Sequence, residues 1–175
     1  MALSGEGADE LFGGYDAVLS ALAAHGRLPD PPIGAARFHL EAAAWVSPAA
    51  QDGLLRGDAV GRSEFVIDAY ERAYTLSQTQ MRGEGDALDA HLQLQRRFNL
   101  NSLLERLDAA TMRHGVEGRT PFADVEVARY AESLPMDAKF VDGAGGAAGS
   151  KIILRRAFSG AVPERIEKRP KASFP

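Results

Sequence analysis

Apolar residues recur along most of this chain at intervals of three and four, the spacing of a helix that buries one face. Phe38, Leu40, Ala44 and Trp45 mark such a face between Ile33 and Val46, and Leu54 and Leu55 sit in a short segment ended by Gly57. Phe65, Ile67, Tyr70, Ala73, Tyr74 and Leu76 form a longer run, broken by Gly83 and Gly85. Leu88, Leu92, Leu94 and Phe98 continue the pattern, followed by Leu103, Leu104, Leu107 and Met112. These stripes read as core. Val127, Tyr130, Ala131 and Leu134 predict a helix that stops before Pro135, and Ile152 to Phe158 predicts another.

Strand signals are nearly absent. Met1-Ala2-Leu3-Ser4 is very short for a strand and reads as the last piece of something longer. Gly5-Glu6-Gly7 then turns the chain, and Ala8 to Phe12 begins a helix whose first turn carries Asp9 and Glu10, where acidic groups suit the helix dipole. Tyr15 to Ala24 predicts a second helix, closed by Gly26 and the turn around Pro29-Asp30-Pro31-Pro32. Residues 142–149 are too rich in Gly and Ala for fixed structure and read as a mobile loop. Without an alternating strand–helix pattern, the chain is not expected to build a parallel sheet by itself. The expected fold is mainly α.

Composition narrows the function classes. The 175 residues suit one domain, and 45% hydrophobic with 25% charged residues argues against disorder. The absence of Cys excludes disulfide scaffolds, thiolate zinc sites, iron–sulfur clusters and cysteine nucleophiles. No apolar run approaches the roughly 20 residues of a membrane span and no basic-then-apolar leader opens the sequence, so a cytoplasmic setting without a membrane is expected. The charge is uneven. Lys151, Arg155, Arg156, Arg165, Lys168, Arg169 and Lys171 outnumber Glu164 and Glu167, so the last 25 residues carry +5 and the rest −9 of an overall −4. A basic end on an acidic body suits a local anionic partner. Aromatics are 7% and not interleaved with that end, which argues against nucleic acid.

Several familiar motifs fail on their context. The four His show no HExxH spacing, and neither Ser102 nor Ser173 lies in a Gly-x-Ser-x-Gly elbow. Residues 143–148 match a GxGxxA fingerprint, but the preceding strand would be only Lys139 to Val141 and no second βαβ half follows. Glu6, Asp9 and Glu10 are more suggestive. At i, i+3 and i+4 they can crowd one helix face, where a hard divalent ion such as Mg²⁺, held with a nucleotide phosphate, would neutralise them. Gly5 and Gly7 remove side chains where a ligand could approach the backbone. Lys151 sits at a helix start, an unfavourable place for a cation, directly after the Gly-rich loop; a loop delivering a cation over a nucleotide accounts for both features. Arg119 precedes an extended Thr-Pro and can pair with Asp124 or Glu117.

Residues 3–15 read LSGEGADELFGGY, which resembles the signature of the asparagine synthase family, in its carboxyl-terminal synthetase domain. LERLDAATMRHGVEGRTPFAD (104–124) resembles the family's helix leading to a Glu-x-Arg-x-Pro-Phe-x-Asp turn. SKIILRRAF (150–158) with RPKASFP (169–175) is similar to its Lys-containing helix and Lys-x-x-Phe ending. The resemblance implies the helical C-terminal portion of an α/β adenine-nucleotide alpha-hydrolase-like (PP-loop) domain, residues 1–175 forming one partial domain with most of its sheet absent. It implies ATP-dependent amide formation through a β-aspartyl-adenylate, with ATP and Mg²⁺ as cofactors. Aspartate or a related carboxylate would be the substrate, and a macrolactam or β-lactam synthetase is a nearby alternative. Carried over by motif, Glu6 and Lys151 would be catalytic, and Asp9 would hold Mg²⁺. Ser4, Gly5, Glu6, Gly7, Arg119 and Lys171 would bind substrate or nucleotide. The family's Ser-Gly-Gly-x-Asp-Ser loop and glutaminase Cys do not occur in the sequence, and Ala109 replaces a basic residue after Asp108. Glutaminase and ATP-loop segments are therefore expected from the same or a neighbouring chain, and an inactive helical remnant or interaction module is the non-enzymatic alternative. Without its sheet, the helix from Ala8 should leave apolar surface uncovered, favouring a homo-oligomer.

Overall fold

The computed structural model describes residues 1–44, 46, 50, 53–54, 62–80, 87–144 and 146–169. Trp45, Leu55, Gly57, Gly83, Gly85 and Lys171, with the rest of the Lys-x-x-Phe ending, lie outside the described residues. In chain order the elements are β1 (Ala2–Leu3), α1 (Ala8–Phe12), α2 (Asp16–Gly26), α3 (Ala35–Ala43), α4 (Arg62–Gln80) and α5 (Ala87–Leu94). A π-helical segment (Gln95–Leu100), α6 (Asn101–Met112), β2 (Gly118–Arg119), a 3-10 turn (Pro121–Ala123) and α7 (Val125–Ser133) follow. The short helices α8 (Met136–Lys139), α9 (Gly146–Gly149), α10 (Ile152–Ala157) and α11 (Glu164–Glu167) come last. The chain is mainly helical. It divides into two compact units, residues 1–19 with 92–175 and residues 20–91.

In the first unit β1 and β2 pair in parallel, Ala2 with Gly118 and Leu3 with Arg119. This corrects the expectation that the chain builds no parallel sheet: two residues on each side suffice for one ladder. The connection between them is long and helical, as a parallel pair requires. Leu11 and Phe12 of α1 pack with Ala131 of α7, and Phe122, Val127, Leu134, Ile153 and Leu154 close around them. Ala8, Glu10, Leu11 and Phe12 are all buried. The apolar face of α1 is therefore covered, contrary to expectation. Full burial of Leu or Phe contributes roughly 1.5–3 kcal/mol each. Uncovered apolar surface lies instead on β1, where Leu3 is 72% exposed, and on α6, which buries none of its residues. The Gly-Ala stretch, expected to lack fixed structure, contains the helical turn α9 and is closed at its base by an antiparallel bridge from Phe140 to Ser150.

The second unit packs α3 against α4 around polar aromatic rings. His39 and His91 are fully buried with ring centroids 3.9 Å apart, and the Tyr70 hydroxyl lies 2.9 Å from His39 Nδ1. His25 stacks on Phe38 at 4.2 Å. Part of the predicted stripe is not core. Phe65, Leu76, Phe98 and Met112 are exposed, because three- and four-residue spacing identifies a face without saying what, if anything, covers it.

Candidate functional site

The first unit brings the three sequence blocks together, and the backbone does most of the work. Ser4 N–H donates to the Arg119 carbonyl and Ala2 N–H to the Glu117 carbonyl, both at 2.8 Å, so the acidic turn starts from a hydrogen-bonded base. Gly7, the residue before α1, has φ 96°, and a Cβ there would stand 3.2 Å from the Phe122 carbonyl carbon and oxygen. Only glycine accommodates both demands. Gly7 is thus needed for packing against the second block, and the Phe12 and Phe122 rings complete that contact edge-to-face at 6.2 Å. Around Gly5 the space is open: a Cβ there would meet nothing within 4 Å.

The two glycines after α1 divide the work. Gly13 closes the helix in a left-handed conformation, φ 70°, with its N–H on the Asp9 carbonyl. Gly14 makes room for the Asp9 side chain, since a Cβ there would fall 1.7 Å from Asp9 Oδ1. That same oxygen accepts a hydrogen bond from Lys151 Nζ at 2.9 Å, and both side chains are about one-fifth exposed. Residues 142 positions apart therefore meet. Lys151 has φ 50° and is the one non-glycine residue with positive φ among the described residues. Such a conformation costs roughly 1–2 kcal/mol and persists where its surroundings enforce it. Here the Phe140–Ser150 bridge fixes the approach, while Arg155 donates its N–H to the Lys151 carbonyl at 2.9 Å and its Nε to the Ser150 carbonyl at 3.0 Å.

Glu6 and Glu10 have opposite fates. Glu6 is half-buried, and its side chain makes no hydrogen bond or ion pair among the described residues. Glu10 is 1% exposed; its Oε1 accepts from the Tyr15 hydroxyl at 2.5 Å and from Asn99 Nδ2 at 2.9 Å. Burial, then the Glu10 carboxylate, pushes the Tyr15 phenol above its ordinary range, so it stays protonated and donates. Arg119 pairs with Glu117 at 2.5 Å on the surface, one of the two partners expected. The other, Asp124, caps α7 by accepting the Glu126 N–H at 2.8 Å. Sequence reasoning missed Tyr15 and Asn99 as site neighbours. LFGGY contained the first, but nothing in the spacing pointed to Asn99.

No three His, Asp or Glu side chains gather into a metal cage among the described residues. Asp9 is the carboxylate that could hold a magnesium ion here, since this ion is commonly bound through one or two carboxylates together with phosphate groups. The donor chemistry fits.

A family profile described as "Asparagine synthase" matches residues 1–175. Among curated proteins the chain is similar to "Asparagine synthetase [glutamine-hydrolyzing] 3" of Bacillus subtilis (strain 168), 32% identical over 182 residues. It is also similar to "Asparagine synthetase [glutamine-hydrolyzing] 1" of the same organism, 28% identical over 198 residues. All of this chain is covered in both alignments, but only 26% and 30% of those proteins. The chain thus spans under a third of the length of the relatives it matches. No solved structure matches it.

Proposed function

The chain belongs to the asparagine synthase family, and from that premise we propose that residues 1–175 form the helical part of an ATP-dependent amide-forming ligase domain of PP-loop type. The reading rests foremost on one observation, the Lys151–Asp9 contact at 2.9 Å, which joins the lysine after the Gly-rich stretch to the acidic turn. In the proposed reaction an aspartate side-chain carboxylate oxygen attacks the α-phosphorus of ATP, and the bond from that phosphorus to the α,β-bridging oxygen breaks to release pyrophosphate. Ammonia, supplied from glutamine by a separate domain, then attacks the acyl carbon, and AMP leaves. Bound magnesium would supply charge neutralisation at the phosphates, with Asp9 as its protein ligand.

Each residue has a chemical reason for its role. The Lys151 ammonium offsets negative charge gathering on the phosphoryl oxygens, an effect strong at a site shielded from water. Its hydrogen bond to Asp9 Oδ1 holds the ammonium at the edge of the acidic turn. Glu6, whose side chain makes no hydrogen bond or ion pair among the described residues, is the base that takes a proton from the attacking nitrogen. The turn from Ser4 to Gly7, open at Gly5, borders the substrate. Arg119 supports this turn through its backbone, since its carbonyl receives the Ser4 N–H. Lys171 is proposed as a further phosphate contact by its place in the family motif.

Pyrophosphate exchange by the assembled synthetase is the direct test. Lys151→Ala should reduce exchange roughly a hundredfold to a thousandfold, whereas Glu6→Gln should retain most of it and lose amide formation. Exchange and amide formation unchanged in both variants would overturn the reading in favour of a non-catalytic module. Exchange that depends on a different carboxylate, with an internal amine as acceptor, would point to a lactam-forming ligase.

A further inference from the structure

Behind the Asp9–Lys151 pair lies the buried Glu10, one residue along α1, with both its hydrogen-bond donors on a single oxygen. Asn99 Nδ2 also lies 3.1 Å from the Tyr15 hydroxyl, so the three side chains form a closed triangle. Glu10 and Asn99 are 89 positions apart. A buried carboxylate left without such donors would be strongly unfavourable.

Asn99 reaches this place through a change of helical period. Leu94 is 1% exposed, and an ordinary α-helix would turn Phe98, four residues later, to the same side. Gln95–Leu100 is a π-helical segment, with hydrogen bonds from i to i+5, and the fifth residue from Leu94 is Asn99. Phe98 is accordingly 47% exposed, while Asn99 is half-buried against Glu10. Segments of this kind interrupt α-helices frequently at functional sites.

We propose that Asn99, presented by the π-helical segment, is a positioning residue for the Asp9–Lys151 pair. It holds Glu10, fixes the rotation of the five-residue helix α1 about its axis, and so sets where the neighbouring Asp9 carboxylate stands. The kinetic consequence rests on the synthetase reading above; the structural consequence does not.

The structural arm uses the chain itself, labelled with ¹⁵N-lysine. An ammonium held by a carboxylate gives a slowly exchanging ¹H–¹⁵N signal, assigned to Lys151 by its loss in Lys151→Ala. Asn99→Ala should lose or broaden that signal, and Asn99→Gln, which keeps the amide donor, should restore part of it. Arg96→Ala breaks the neighbouring Arg96–Glu132 ion pair, outside the triangle, and should leave the signal in place. Should Asn99→Ala fail to fold, Tyr15→Phe removes the other donor to the same Glu10 oxygen and should weaken the signal instead. An unchanged signal in the folded variants of Asn99 or Tyr15 overturns the proposal, as does equal loss in Arg96→Ala. In the assembled synthetase, Asn99→Ala should lower the turnover of pyrophosphate exchange by roughly tenfold to a hundredfold with KM nearly unchanged. Exchange that is indifferent to Lys151→Ala would refute the synthetase reading while leaving the lysine signal to judge Asn99.

Discussion

Two regions of this molecule bury polar side chains and treat them oppositely. In the first unit, Glu10 is shielded from solvent with two donors on one oxygen, and its neighbour Asp9 meets Lys151. In the second, the His39 and His91 rings are in contact, tilted 54° to each other, and neither nitrogen of His91 has a hydrogen-bond partner among the described residues. Burial lowers His39 from its usual 6.5 to about 4, and burial together with the His39 ring drives His91 lower still. A satisfied carboxylate can stay buried; an unsatisfied imidazole can stay only while neutral. The first arrangement holds a charged pair in a defined place. The second is a packing core with a built-in sensitivity to acid.

Lys151→Ala gives the sharpest separation of the regions. It should reduce pyrophosphate exchange roughly a hundredfold to a thousandfold, the scale for removing one fixed charge-stabilising donor. His91→Leu should leave the exchange rate at neutral pH close to that of the parent. A comparable loss in both variants would erase the distinction.

Acid should act on the second region next. The unfolded histidines bind protons below about 6.5, whereas folded His39 does so only near 4. Stability is therefore full above about 6.5 and falls as the pH drops towards 4, by roughly 1.4 kcal/mol per pH unit for each histidine. Urea midpoints measured at pH 7.5 and 5 should differ accordingly, and His91→Leu should flatten the difference. An equal slope in the variant would show that the imidazole pair is not its source.

Gly14→Ala probes the first region more gently. The new methyl group would overlap Asp9 Oδ1, so the carboxylate must move or the turn must open, at roughly 1–3 kcal/mol. A crystal structure of the variant should show Asp9 displaced from Lys151; an unmoved pair would contradict the close approach. Tyr15→Phe should have the smallest effect, about 1 kcal/mol for one lost hydrogen bond, because Asn99 still donates to Glu10. Thermal unfolding of this variant and of Asn99→Ala would rank the two donors.

Much of this was readable from the chain. The start of α1 after Gly7, the end of α7 before Pro135 and the helix after Lys151 follow from local rules of turns and periods. The three blocks were also visible as strings of residues, the first and third of which meet at Asp9 and Lys151. Their meeting had no local signal, because a contact across 142 positions depends on how helices pack. Phe98 shows the limit most clearly. Its α-helical spacing from Leu94 placed it in the core, but the π-helical segment changes the phase, sending Phe98 outward and Asn99 to Glu10.

What the sequence determined, then, was where the chain turns and which residue types stand together along it, since those depend on neighbours a few bonds away. Tertiary structure alone decided which carboxylate is buried and held, which stays open, and which stripe is covered. Those outcomes depend on surfaces brought together from distant segments, where a single added residue in a helical turn reverses what faces inward.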